Sequence, residues 1–408
     1  MNVRRILLAS LGCVIAAPSF AEQNGITQYG YVSASFTDLG VLGNDASSTA
    51  YDINNAGHIV GTSRSSAGIQ RAFVYSAFSM QTIPVGIGVT RSEARGINNN
   101  GEVVGFFHGA PDTTHTRPFF WKSSLGQIDP IVGNPYASYY PSVKWNTMAH
   151  AINDNGLIVG ESHIKWETVT EPFPDTEGDC YSDIPVKWTS SNANSSMLFC
   201  PVDNGFFATA AAFDVNNGGK VAGMDRGSSD YGLFRIQSGA SLVTSVPFPK
   251  TPSSRNPGSH TGDAYGINET GAVVGYISYG SVKRALYWNG VTTSSADLGV
   301  LANGVNSLAR EVNDQGFITG YSDYKTSANS PMRKAAYIYH ANFGMKQLPA
   351  PNNADGEDSI CEAFALNNRN ETNGVVQAVG QCFINGAWRA TRWNIVTKKY
   401  TNLPDTQP

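Results

Sequence analysis

AHAINDNGLIVG, residues Ala149 to Gly160, decides how this chain folds. The Ala-x-x-Ile-Asn stretch runs into Asp-Asn-Gly, residues that accept the backbone angles of a tight hairpin, and an apolar run closed by Gly follows. It reads as two short strands folded about a turn. The pattern recurs as AYDINNAGHIVG from Ala50, ARGINNNGEVVG from Ala94, AFDVNNGGKVAG from Ala212, AYGINETGAVVG from Ala264, AREVNDQGFITG from Ala309 and AFALNNRNETNGVVQAVG from Ala363. Its Asn residues, at 54, 98, 153, 216, 268, 313 and 367, lie 44, 55, 63, 52, 45 and 54 apart. Such a period suits a four-stranded unit better than a helical pair or a short solenoid coil.

An aromatic, β-branched element follows each copy: RAFVY from Arg71, RPFFW from Arg117, IPVKW from Ile184, YGLFRI from Tyr231, RALYW from Arg284, KAAYIY from Lys334 and WRATRW from Trp388. A weaker Leu-containing strand comes next, as in DLGVL from Asp297, KQLP from Lys346 and TNLP from Thr401. Each repeat is therefore expected to be a meander of strands a to d, with no sustained helical period. An open stack would expose ladder edges at both ends. The expected fold is an all-β, seven-bladed β-propeller of four-stranded antiparallel blades, one domain over residues 22–408; an irregular stack of the same hairpins is the alternative. Either Phe36–Leu42 or Tyr400–Leu403 is expected to supply the closing outer strand.

The first 21 residues read as a signal peptide: Arg4 and Arg5, an apolar run from Ile6 to Ala17, then Ser19-Phe20-Ala21 at the cleavage site. A twin-arginine signal and a lipoprotein cysteine at Cys13 fit less well. A secreted or periplasmic protein follows. Loss of Arg4 and Arg5 leaves 26 basic against 32 acidic residues, a net charge near −6, with no basic run for nucleic acid and no later membrane span. No metal or cofactor motif is present, so no cofactor is expected, and a monomer is the simplest state. The Asn-rich turns lack the downstream carboxylate of a calcium loop and read as structural.

An even set of cysteines in an exported chain points to disulfides. The repeat register places Cys361 and Cys382 just outside the two ends of the hairpin of the seventh repeat, and Cys180 before strand c and Cys200 at the end of strand d of the third. The expected pairs are Cys180–Cys200 and Cys361–Cys382.

These repeats resemble the HAF-repeat family, bacterial extracellular proteins named for a His-Ala-Phe tripeptide ahead of an aromatic strand. The likeness covers nearly the whole mature chain, although Arg or Lys replaces His at Arg71, Arg117, Arg284 and Lys334. It implies export and a repeat fold, and it fixes no reaction or ligand.

In a meander, the b–c loops and d–a connectors share a face with the N-terminal ends of the a strands. The long segments Asp129–Thr147, His163–Asp183 and Pro247–Asp263 fall there, and long loops on a rigid scaffold carry function. They hold Tyr139, Tyr140, Trp145, Trp166 and an acidic run that reads as a solvated loop rather than a calcium site. The residue after each opening Ala runs Tyr51, Arg95, His150, Phe213, Tyr265, Arg310, Phe364. One such side chain per blade would form a ring at the mouth, joined by His108 and His163. The plain alternative is a packing position that tolerates polar rings and stems. Two functions compete. The first is binding of a glycan or protein ligand, with Tyr51, Arg310, Tyr140, Trp145, Trp166, His108 and His163 as contacts. The second is polysaccharide lyase chemistry on uronates, with His150 as base, Tyr265 or Tyr139 as acid and Arg95 neutralising the carboxylate. A structural envelope role is the third reading.

Overall fold

The computed structural model describes residues 27–109, 112–123, 128–130, 145–164, 183–189, 192–198, 202–203, 206–207, 209–226, 232–237, 243–247, 260–327, 329–352 and 359–401. Among them the regular structure is all strand, arranged as antiparallel four-stranded meanders in chain order. The sixth repeat is typical: Ser307–Val312 is strand a, Ile318–Tyr324 strand b, Arg333–His340 strand c and Gly344–Gln347 strand d. The meanders of the first and second repeats join into one sheet through a single parallel pair, Gln70 with Arg91. A short extra hairpin, Val202–Asp203 with Phe206–Phe207, separates the third and fourth.

The last repeat supplies Ile360–Leu366, Val375–Ile384 and Ala387–Thr401, and its fourth strand is the N-terminal Thr27–Gly40. Phe36 lies opposite Trp393 in that pairing. Of the two expected closing segments it is therefore the N-terminal one that lies outermost. Tyr400 belongs to strand c and pairs with Gln28. Cys361 and Cys382 are directly opposed, 4.1 Å apart between Cα atoms, and form the expected disulfide. Both lie inside strands rather than just beyond the hairpin ends. Cys180 and Cys200 lie outside the described residues.

Successive meanders pack face to face. One buried cluster joins Ala72 and Phe119 of the first and second repeats; another joins Ala222 of the fourth to Leu286 of the fifth, and a third joins Val274 of the fifth to Ala309 and Ile318 of the sixth. Leu39, Leu42 and Ala390 pack on Ala50 and Ile59, so the N-terminal strand bonds the last repeat to the first. The Ala of the basic-Ala-aromatic element has a part in this. Its amide donates to a serine of the following strand a, Ala72 to Ser92 Oγ and Ala285 to Ser307 Oγ, each at 2.9 Å.

The repeated Asn links every copy to the next. Asn54 Nδ2 donates to the Asn98 carbonyl at 3.0 Å, and the same step runs from Asn98 to Asn153, Asn216, Asn268, Asn313 and Asn367. Asn367 Nδ2 reaches back to the Asn54 carbonyl at 3.5 Å. A second circuit lies beside it. The amide of each following residue, in the order Asn55, Asn99, Asp154, Asn217, Glu269, Asp314, Asn368, donates to the side-chain oxygen of the next, and Asn368 returns to Asn55 at 2.9 Å. The Asn turns are indeed structural: each buried Asn also accepts amides from its own turn, as Asn313 Oδ1 does from Gln315 and Phe317.

The Ala and the Gly of the motif belong together. In all seven strands a, the register slips by one residue just after the Ala, as between Ala309 and Glu311. The Ala at the slip faces the motif Gly, which lies inside strand b. A Cβ on Gly320 would collide with the Leu308 carbonyl, and one on Gly160 with the Met148 carbonyl. Backbone fills the place of a side chain there, so only Gly fits.

Candidate functional site

A β-bulge puts an extra residue into one strand and re-aims its side chain. Here the extra residue in each strand a is one of Tyr51, Arg95, His150, Phe213, Tyr265, Arg310 and Phe364. All seven are half-buried and line one cavity of about 280 Å³. Neighbours approach one another from Arg95 through Tyr51, Phe364, Arg310, Tyr265 and Phe213 to His150. The Arg95 guanidinium lies 4.1 Å from the Tyr51 ring centroid, and Tyr51 is 6.0 Å from Phe364. Arg310 lies 5.6 Å from the Phe364 centroid and 4.3 Å over the Tyr265 ring. Phe213 then sits 5.3 Å from Tyr265 and 5.7 Å from His150. Each of the two guanidiniums stands beside an aromatic ring, and the other neighbours are ring against ring.

Most of the polar groups already have partners. Arg95 Nη2 is 2.5 Å from Glu93 Oε2, and Tyr265 donates its hydroxyl to Asp263 Oδ2 at 2.9 Å. His150 Nε2 lies 3.1 Å from Glu161 Oε1; His163 Nε2 approaches the same oxygen at 3.3 Å, and its Nδ1 lies 2.8 Å from Asp183. Burial works against the Glu161 charge, but hydrogen bonds and charge from both imidazoles hold its carboxyl well below the usual range. Burial likewise opposes the His163 cation, and Asp183 and Glu161 outweigh it, raising the group to about 10. Burial pushes the Tyr51 phenol up to about 12, and burial with the neighbouring Asp263 carries Tyr265 higher still.

The sequence reading missed the second tier. Because the bulge precedes them, Asp52, Asp214 and Glu311 line the same cavity directly behind Tyr51, Phe213 and Arg310. They also line a second cavity, of about 260 Å³, on the side of the Asn circuits. Asp52 accepts the amides of Ile53 at 2.7 Å and Ile97 at 2.8 Å; Asp214 accepts those of Val215 at 2.8 Å and Ile267 at 2.7 Å. Glu311 accepts the Val312 amide at 2.8 Å. Burial pushes Asp52 up to about 7 and Asp214 to about 6, and burial with the charges of Asp214 and Asp52 holds Glu311 well above a normal Glu. The signal available was a carboxylate two places before the Asn, at a point where four other copies carry Gly or Ala.

The remaining candidates divide. His163 joins the ring through Glu161. His108 does not line the cavity, and Phe106 stands where the third repeat has Glu161, so the link that Glu161 makes to His163 has no carboxylate counterpart at that position. Trp145 begins strand Trp145–Ile152, its side chain being outside what is described, and Tyr139, Tyr140 and Trp166 lie outside the described residues altogether. His150 and Tyr265 stand on opposite sides of Phe213. Among the described residues, no group of three or more His, Cys, Asp or Glu is placed to hold a metal ion. No helix among them is long and apolar enough to cross a membrane.

A family model described as a protein of unknown function (DUF3466) matches residues 187–353, less than half of the chain. No curated protein matches the sequence. Among solved structures, the chain is similar to YCF48 from Cyanidioschyzon merolae at 9% identity and a TM-score of 0.45, over 88% of this chain and 98% of that one. A gluconolactonase from Xanthomonas campestris matches at 10% identity and a TM-score of 0.37, over 89% and 90% of the two chains. TolB from Acinetobacter baumannii matches at 8% identity and 0.35, over 88% and 68%. Likeness at this level assigns no activity.

Proposed function

We propose that the chain is an exported, seven-bladed β-propeller akin to the HAF-repeat proteins, and that it binds a glycan or protein ligand at the face carrying the seven-residue ring. The observation that carries the reading is the convergence of one bulged side chain from each repeat on a single cavity. Two closed hydrogen-bond circuits of seven steps, and an N-terminal strand completing the last sheet, support the blade count. Half-buried aromatic rings offer flat faces for sugar stacking.

Binding has more support than lyase chemistry. The Tyr265 proton is directed at Asp263, Arg95 is occupied by Glu93, and Phe213 separates the would-be base from the would-be acid. The test is retention of the mature protein on a glycan array, with absorbance from unsaturated uronate product followed in parallel. Binding lost on Phe213→Ala without turnover supports the reading. Turnover abolished by His150→Ala would replace it with the lyase.

A further inference from the structure

Arg310 stands apart from the other cations of the ring. Its guanidinium carbon lies 4.3 Å from the Tyr265 ring centroid and 5.6 Å from that of Phe364, yet it makes no hydrogen bond or ion pair among the described residues, and its Nε is shielded from solvent without a partner. Arg95 and His150 each face a carboxylate. The three acids behind the ring do not serve Arg310. Asp52 and Asp214 spend both oxygens on backbone amides, and Glu311 turns one to Val312.

A guanidinium stacked on one face keeps its edge free, and that edge matches a carboxylate with two parallel hydrogen bonds. Leaving Nε shielded and unpaired is costly, which a carboxylate bound to Nε and a terminal nitrogen would relieve. The cavity of about 280 Å³ suits one sugar ring. An extended peptide would instead seek a groove or a sheet edge.

We propose that the ring is a carboxylate-recognition site, in which Arg310 binds the carboxylate of a hexuronate residue while Tyr51, Phe213 and Phe364 flank the sugar. This rests on the binding reading above and names its ligand class.

The experiment is calorimetry on the mature full chain with trimers of galacturonate and of mannuronate, each against its methyl ester, which removes the charge at nearly the same size. The unmodified protein is expected to prefer at least one acid over its ester by about tenfold or more, the usual worth of a charged hydrogen bond. Arg310→Gln should lower acid binding to the level of the ester and leave the ester unchanged. Arg310→Lys, which keeps the charge but not the fork, should fall between, and it carries the test if the Gln variant does not fold. Equal binding of acid and ester, an acid preference that survives in both variants, no binding of either trimer, or preference for a glutamate-rich peptide would overturn the inference. In each of these cases retention on the glycan array decides separately whether the binding reading stands.

Discussion

Replacing Asn313 with Ala removes one link of the inner circuit and should destabilise the protein by about 3 kcal/mol. The side chain is buried and makes three hydrogen bonds: Nδ2 to the Asn367 carbonyl at 3.0 Å, and Oδ1 from the amides of Gln315 at 3.1 Å and Phe317 at 2.9 Å. Ala leaves the buried Phe317 amide and the Asn367 carbonyl without partners, and each lost bond of this kind is worth roughly 1 kcal/mol. Urea unfolding followed by tryptophan fluorescence should show a lower midpoint with an unchanged slope, since the surface exposed on unfolding is the same. Asn368, on the outer circuit, is only half-buried, and water can replace its two bonds with Asp314, so Asn368→Ala should cost about 1 kcal/mol or less. A loss at Asn313 within about 0.5 kcal/mol of zero, the usual range for surface substitutions, would refute the claim that the buried amides tie the repeats together.

Gly320→Ala should leave little soluble protein, because the new methyl meets the Leu308 carbonyl inside the bulge; native yield against the exposed control Gly218→Ala, where a methyl makes only an ordinary contact with Asn216, is the measurement. Cys361→Ser with Cys382→Ser should cost about 3 kcal/mol, from the entropy of a loop with a sequence separation of 21, read as the urea midpoint of oxidised against double-mutant protein. Stability should peak near pH 5 and fall toward pH 8. Asp52, Asp214 and Glu311 have raised folded-state values, so their contribution is full below about pH 4 and fades as pH rises, through about 7 for Asp52. His163, also raised, adds a loss between about 6.5 and 10, whereas the depressed Glu161 contributes above its unfolded value and loses that contribution as pH falls. Thermal midpoints from pH 4 to 9 check this, and Glu311→Gln should flatten the alkaline arm; a midpoint rising from pH 5 to 8 contradicts it.

Much of this was legible in the chain itself. Seven copies of Ala-x-x-aliphatic-Asn with a Gly-bounded strand announced the meanders, because hairpin turns and strand periodicity are local properties. The pairing of Cys361 with Cys382 followed from the register of one hairpin, and the ring residues stood out by position. What each ring residue does was not legible. Glu93 lies two residues before Arg95, but whether it neutralises that cation depends on strand geometry, and nothing in the spacing sets Arg310 apart from Arg95.

By itself, then, the sequence determined the repeat, its strand order and the identity of one residue per repeat at the bulge. Only the tertiary structure decided that the N-terminal strand completes the last sheet, that Asp52, Asp214 and Glu311 stand behind the ring, and that Arg310 is left with an aromatic face and no counter-charge among the described residues. The reason is the register slip after each Ala. A one-residue bulge redirects consecutive side chains and depends on backbone filling the place of a Cβ at the opposing Gly, a condition set between strands and then between repeats.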